Sequence, residues 1–148
     1  MAVVNPLEQF NKAADTRRKS DLAQIQKALE VYYQDYGRYP YRCTTTINNI
    51  QVSQISKSAT CNATNIITWG EDFRPYIDIL PIEQKRAKTY GYYVDSTGQS
   101  YALYASLDRG SKDPQSCSQG VACTNAAANN IRCGGICNYG VSSPNIAP

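Results

Sequence analysis

Histidine is missing altogether from this 148-residue chain. With it go the Ser-His and Cys-His nucleophile arrangements and His-dependent acid–base chemistry. No pair of Asp or Glu residues stands out from the surface charges to replace them, so the chain does not read as an enzyme. It also lacks any run of about 20 apolar residues, and its start, Met1-Ala-Val-Val, is no signal peptide. The Cys-x-x-Cys spacing of zinc knuckles is absent, which removes the usual structural metal site. There is no low-complexity tract, so one domain is the default. A net charge of +3 is too mild to make nucleic-acid binding a main task. Phe and Trp are scarce as well, two and one against twelve Tyr. The tyrosines therefore read as amphipathic core and strand residues, buried at the ring and wet at the hydroxyl. A stacking surface for sugars, DNA or electron transfer is the less economical reading.

What the chain does have is six cysteines, Cys43, Cys61, Cys117, Cys123, Cys133 and Cys137, all in Asn-, Thr-, Ser- and Gly-rich stretches. An even number in such loops reads as three disulfides and an oxidising compartment, a periplasm or cell exterior. Cys43–Cys61 is the preferred first pair, because both flank one loop and the other four cluster. An oxidised protein must be exported, yet no export segment is visible. The expectation is that Ala2–Val4 is the tail of a hydrophobic segment lying upstream.

The chain is organised around residues 5–40. Leu22, Ile25, Leu29, Tyr32, Tyr33 and Tyr36 recur at three- and four-residue steps, which puts them on one helix face. Asn5 suits the N-cap, Pro6 the first helical position and Glu8 a capping box, while Gly37 and Pro40 end the helix. A helix of about 31 residues would be roughly 46 Å long, more than the diameter of a small domain, so its first half should stand proud. That half offers Leu7, Phe10, Ala13 and Ala14, then Arg17, Arg18 and Lys19. The basic triplet reads as a solvated face, or else as a collar near a membrane or a neighbouring subunit. Glu8 with Lys12 and Asp15 with Lys19 have the favourable i,i+4 order.

After the helix, residues 41–67 read as a long connection with a short helix or irregular strands, and Asn62-Ala63-Thr64 is formally a glycosylation sequon. Residues 69–81 read as a short helix between two stops, with Trp69 as a core anchor. Tyr90, Tyr92 and Val94, then Tyr101, Leu103, Ala105 and Leu107, alternate as a β-hairpin with one buried face, turning at Asp95–Gly98. The helix is its natural cover. Residues 108–148 are poor in apolar side chains, so disulfides are expected to substitute for core there and to hold the tail onto the head. The run 137–141 could add a strand beside the second strand of the hairpin. The expected fold is thus α+β, with a helix over 1–40 packed on a small antiparallel sheet in a head of 41–148, and a disulfide-rich tail at 108–148.

Three stretches carry a family resemblance: Ala14-Asp15-Thr16-Arg17-Arg18-Lys19-Ser20-Asp21-Leu22, the helix end Tyr32-Tyr33-Gln34-Asp35-Tyr36-Gly37-Arg38-Tyr39-Pro40, and Phe73-Arg74-Pro75-Tyr76-Ile77-Asp78-Ile79-Leu80-Pro81. Together with the Tyr-rich strands they resemble the type IV pilins and type II secretion pseudopilins, over residues 3 to about 108. The resemblance implies a structural subunit that self-associates into a filament through its N-terminal helix and has no cofactor. It also implies an inner-membrane assembly machinery as partner, a precursor in the bacterial inner membrane and a mature filament at the cell surface. The chain as it stands should be soluble. Leu7, Phe10, Arg17, Arg18 and Lys19 would be the subunit contacts. Major pseudopilins bind calcium in a C-terminal loop. Asp108 and Asp113 are the acidic groups the tail has for that, without a recognisable ligand loop. The sequence departs from the family where Ile82-Glu83-Gln84 replaces the Asp-Pro that often follows Leu-Pro. The competing reading is a free secreted binding module or adhesin, which explains the cysteines but leaves the polar first half of the helix without a purpose. No specific nucleic acid or small molecule is expected.

Overall fold

The computed structural model describes residues 5–148; Ala2–Val4, the expected tail of a hydrophobic segment, lie outside them. Helix α1 spans Pro6–Tyr36. Its N-cap is Asn5, whose side-chain oxygen accepts from the N–H groups of Leu7 at 3.1 Å and Glu8 at 3.4 Å. Glu8 does not complete a capping box, because its carboxylate bonds Arg109 in the tail instead. Gly37 ends the helix at φ 70, a left-handed cap that donates its N–H to Tyr33 O at 2.7 Å.

Two three-stranded antiparallel sheets follow. The first is β1 (Tyr41–Ile47), β2 (Ile50–Ser56) and the short β3 (Ile66–Ile67), in that order. The expected irregular connection is therefore a regular hairpin. Its turn is Asn48-Asn49, with both residues at positive φ (52 and 63) and Ile47 paired to Ile50. That is the two-residue geometry that matches strand twist, and Asn tolerates it best after Gly. The second sheet is β4 (Gly91–Val94), β5 (Tyr101–Ala105) and β6 (Tyr139–Ser142). The 137–141 run does add its strand, with Leu103 opposite Val141 and Ala105 opposite Tyr139. Gly140 sits opposite Tyr104, where a β-carbon would come within 2.8 Å of the ring. No bulkier residue fits there without moving the strand.

β5 is central and buried along its whole length. Tyr101, Leu103 and Ala105 join Leu22, Ile25, Leu29 and Tyr32 of α1, together with Val52, Ile55, Trp69, Phe73 and Leu80. Ala102 and Tyr104 face the other way, into a second cluster with Cys123, Ala126, Ile131, Cys133 and Cys137. The hairpin thus has two buried faces, not one. The helix covers the first face and the tail covers the second. Residues 69–81 bury Trp69, Phe73 and Leu80 but form no helix. Asp72 accepts from the N–H of Arg74 at 2.7 Å, a local turn that competes with helical bonding. Tyr36, expected on the packing face, is 62% exposed, and Tyr33 is half-buried.

The disulfides are Cys43–Cys61, Cys117–Cys123 and Cys133–Cys137. The first ties β1 to the loop after β2, as expected. The other two close loops of only six and four residues' separation inside the tail, worth about 2 kcal/mol each in the entropy model. Neither joins tail to head. The tail is held instead by β6, by the second cluster and by Asn138, whose side chain accepts from the Leu107 N–H at 2.7 Å. A chain of this size with its main core on α1 should melt in one step. Leu29 is fully buried, so Leu29→Ala should cost about 2–5 kcal/mol in urea unfolding. A loss under about 0.5 kcal/mol would mean the helix does not carry the core.

Candidate functional site

The apolar stripe of α1 runs back from Leu29 through Ile25 to Leu22. The same three- and four-residue steps continue through Arg18 to Asp15, and both are buried. Charged groups thus occupy core positions. Arg18 lies 3% exposed, with its guanidinium forked onto Glu83: Nε donates to Oε2 at 2.7 Å and Nη2 to Oε1 at 3.0 Å. Nη1 donates to Asp15 Oδ1 at 2.8 Å and to Asp108 Oδ2 at 2.9 Å. Lys88 Nζ completes the cluster with Asp108 Oδ1 at 2.7 Å and Ser106 O at 2.9 Å. Asp15 also accepts the backbone N–H groups of Asp108 and Arg109, at 2.8 and 2.9 Å. One guanidinium therefore joins the middle of α1, the loop at residue 83 and the point where β5 passes into the tail.

Burial alone would lower the Arg18 pKa, but the Glu83 and Asp108 carboxylates outweigh it and raise it above its ordinary value. Burial likewise favours a protonated Asp108, and the hydrogen bonds from Lys88 and Arg18 overcome that, holding its pKa at about 2. A buried cation this well matched is fixed in place, because moving any one partner strands the others.

Two further contacts run outward along the helix. Lys19 bonds Asp113 and, at 2.7 Å, Gln115, while Glu8 bonds Arg109. The Arg109 hydrogen bond lowers the Glu8 pKa. The expected Asp15–Lys19 and Glu8–Lys12 pairs are thus replaced by contacts to the tail. Arg18 and Lys19 bond to other parts of this chain instead of forming a solvated face. Arg17 is the exposed member of the basic triplet, paired within the helix to Asp21 at 3.8 Å.

Beyond these contacts the first turns of α1 touch little. Leu7 is 66% and Phe10 72% exposed. With half-buried Ala14 they form a helical i, i+3, i+7 stripe. Leu7 and Phe10 lie in the half of the helix expected to stand proud, while the sequence reading singled out neither Glu83 nor Lys88 as ion partners and placed Asp15 only with Lys19. The signal for Asp15 was the continuation of the helical step itself. Asp108 and Asp113, the calcium candidates, have their oxygens engaged by Arg18, Lys88 and Lys19. Among the described residues no cluster of Cys, Asp and Glu is arranged to hold a metal ion. No helix among them is long and apolar enough to cross a membrane.

Comparisons with protein families, with curated proteins and with solved structures found no match.

The depressed Asp108 pKa sets a pH window. Its unfolded value is about 3.9, so the stabilisation is complete above that and is lost as pH falls toward the folded value of about 2. Unfolding free energy should hold from pH 7 to about pH 5 and decline between about pH 4 and pH 2. At pH 7, Asp108→Asn should cost on the order of 3 kcal/mol by leaving buried cations short of a partner, and it should flatten that acid limb. A variant as stable as the parent at pH 7, with the same acid limb, would show that the cluster contributes nothing.

Proposed function

We propose that this chain is a structural subunit of a type IV pilus or pilus-like filament, assembling through the free end of its N-terminal helix. The observation that carries this is a helix of 31 residues that is fixed from Asp15 onward and bare at Leu7 and Phe10. Two large apolar side chains on a preformed helix can be buried by a neighbour with little ordering cost. Each is worth about 1.5–3 kcal/mol when fully covered, too little for one stable contact and enough when repeated along a polymer. A contact at one end of the subunit, received elsewhere on the next, is heterologous, and where its rotation does not close it generates an open helical array rather than a closed dimer. The disulfides fit a surface outside the cytoplasm, and the resemblance at residues 14–22, 32–40 and 73–81 fits the same reading. A pilus and a secretion pseudopilus share these features. The inner-membrane precursor and its assembly machinery are part of the proposal.

The test uses the native gene in its own host, with the photo-crosslinking residue p-benzoylphenylalanine at position 10. Crosslinks to other copies of this chain, and loss of surface filaments in Phe10→Asp with an unchanged melting temperature of the purified 148-residue chain, are the expected results. Filaments that persist in Phe10→Asp, or crosslinks only to unrelated proteins, would overturn it.

A further inference from the structure

At the opposite end of α1 lies a cleft of about 370 Å³, within the range of small-ligand sites. Its walls are aromatic and its polar lining is all cationic: Arg38, Lys57 and Arg74, with no carboxylate. Tyr36 is its platform. The ring is backed by Tyr32 at 4.4 Å between centroids, yet the residue is 62% exposed. Tyr32 also packs against Tyr76 at 5.2 Å. The Tyr76 hydroxyl donates to Asp35 at 2.8 Å, so this wall is preformed. The guanidinium of Arg38 lies 3.6 Å from the centre of the Tyr41 ring, and its Nε donates to Tyr39 O at 3.0 Å.

The charges are not equivalent. Arg74 is neutralised by a fork onto Asp72, Nε donating to Oδ1 at 3.1 Å and Nη2 to Oδ2 at 2.6 Å. Arg38 and Lys57 make no ion pair among the described residues. Two cations without an ion pair beside one exposed ring call for an anionic ligand with a flat, weakly polar face. A polyphosphate is a poor fit, since the cleft sits at a helix C-terminus, the negative end of the macrodipole. Single-stranded nucleic acid is a poor fit too. It needs a track of cations and successive ring faces, whereas here Glu71 and Asp72 are exposed nearby.

We propose that this cleft binds a carboxylated pyranose unit of an acidic glycan, with the sugar face on Tyr36 and the carboxylate between Arg38 and Lys57. Aromatic rings offer large contact area at low entropy cost, and the stacked Arg38 is already oriented. The site does not depend on whether the chain polymerises.

The test is titration of the isotope-labelled protein with 3′-sialyllactose and with a trigalacturonate, using lactose and a short oligo-dT as controls. Saturable shifts centred on Tyr36, Arg38, Lys57 and Tyr41 are expected with at least one acidic sugar. Lactose should bind about tenfold more weakly or worse, and affinity should fall as salt screens the charge. Tyr36→Ala and Lys57→Gln change exposed side chains, and each should weaken binding by about tenfold while leaving the rest of the spectrum in place. The proposal is overturned if neither acidic sugar gives saturable shifts, if the shifts map elsewhere, if both variants bind as the parent does, or if oligo-dT binds this cleft more tightly than the sugars.

Discussion

One buried guanidinium ties together the helix, the loop before β4 and the start of the tail. Arg18 takes three carboxylates from three parts of the chain, Asp15 in the helix, Glu83 in the loop before β4 and Asp108 after β5. An apolar side chain at that position would pack as well and cost less to desolvate. It would not specify which loop arrives or in what register. The fork onto Glu83 and the single bonds to the other two admit one arrangement of the three segments. The tail begins at Asp108, so its first residue is held by Arg18 and Lys88. β6 then pairs with β5, and the second cluster closes over Tyr104 and Ala102.

The cysteines act in two ways. Cys43–Cys61 closes a loop of 18 residues' separation and removes freedom from the unfolded chain, worth about 3 kcal/mol. The tail pairs close short loops and remove less. Three of their four half-cystines, Cys123, Cys133 and Cys137, are buried beside Ile131 and Ala126, where they serve as apolar volume. Sulfur supplies core to a segment that has few large aliphatic side chains, of which Ile131 is buried while Val121 and Ile136 are exposed.

What could be read beforehand was whatever a local period encodes. The helix, its caps, its stripe from Leu22 to Tyr32, the hairpin of β4 and β5, the added β6 and the Cys43–Cys61 pair were all legible. β1 and β2 were not, because Thr44, Thr45 and Thr46 hide the alternation and Asn48-Asn49 is a weaker turn signal than Asn-Gly. The short helix at 69–81 was misread because Phe73, Ile77 and Leu80 have helical spacing, while the Asp72 turn decides the backbone. Arg18 was misread because charge was equated with surface. Its place in the step from Leu22 back to Asp15 argued for the interior, and only Glu83 and Asp108, distant in sequence, could make that interior tolerable. Tyr36 follows the stripe in number, but at the last turn the body beneath it has ended.

The geometry at residue 18 also has a mechanical side. The bare end of α1 is a lever whose length is the first two to three turns, and its fulcrum is the Asp15–Arg18 pair. A pull along the helix axis loads the bonds to Glu83 and Asp108 and the packing of Leu22, Ile25 and Leu29 together, in shear. They share the force instead of failing in succession as the rungs of a peeled hairpin do. A sideways pull on that end first meets the contact of Glu8 to Arg109, which lies nearer the surface than the bonds of Asp15 and Arg18. The molecule is therefore stiffer along the helix axis than across it, and Arg18 marks where the one behaviour gives way to the other.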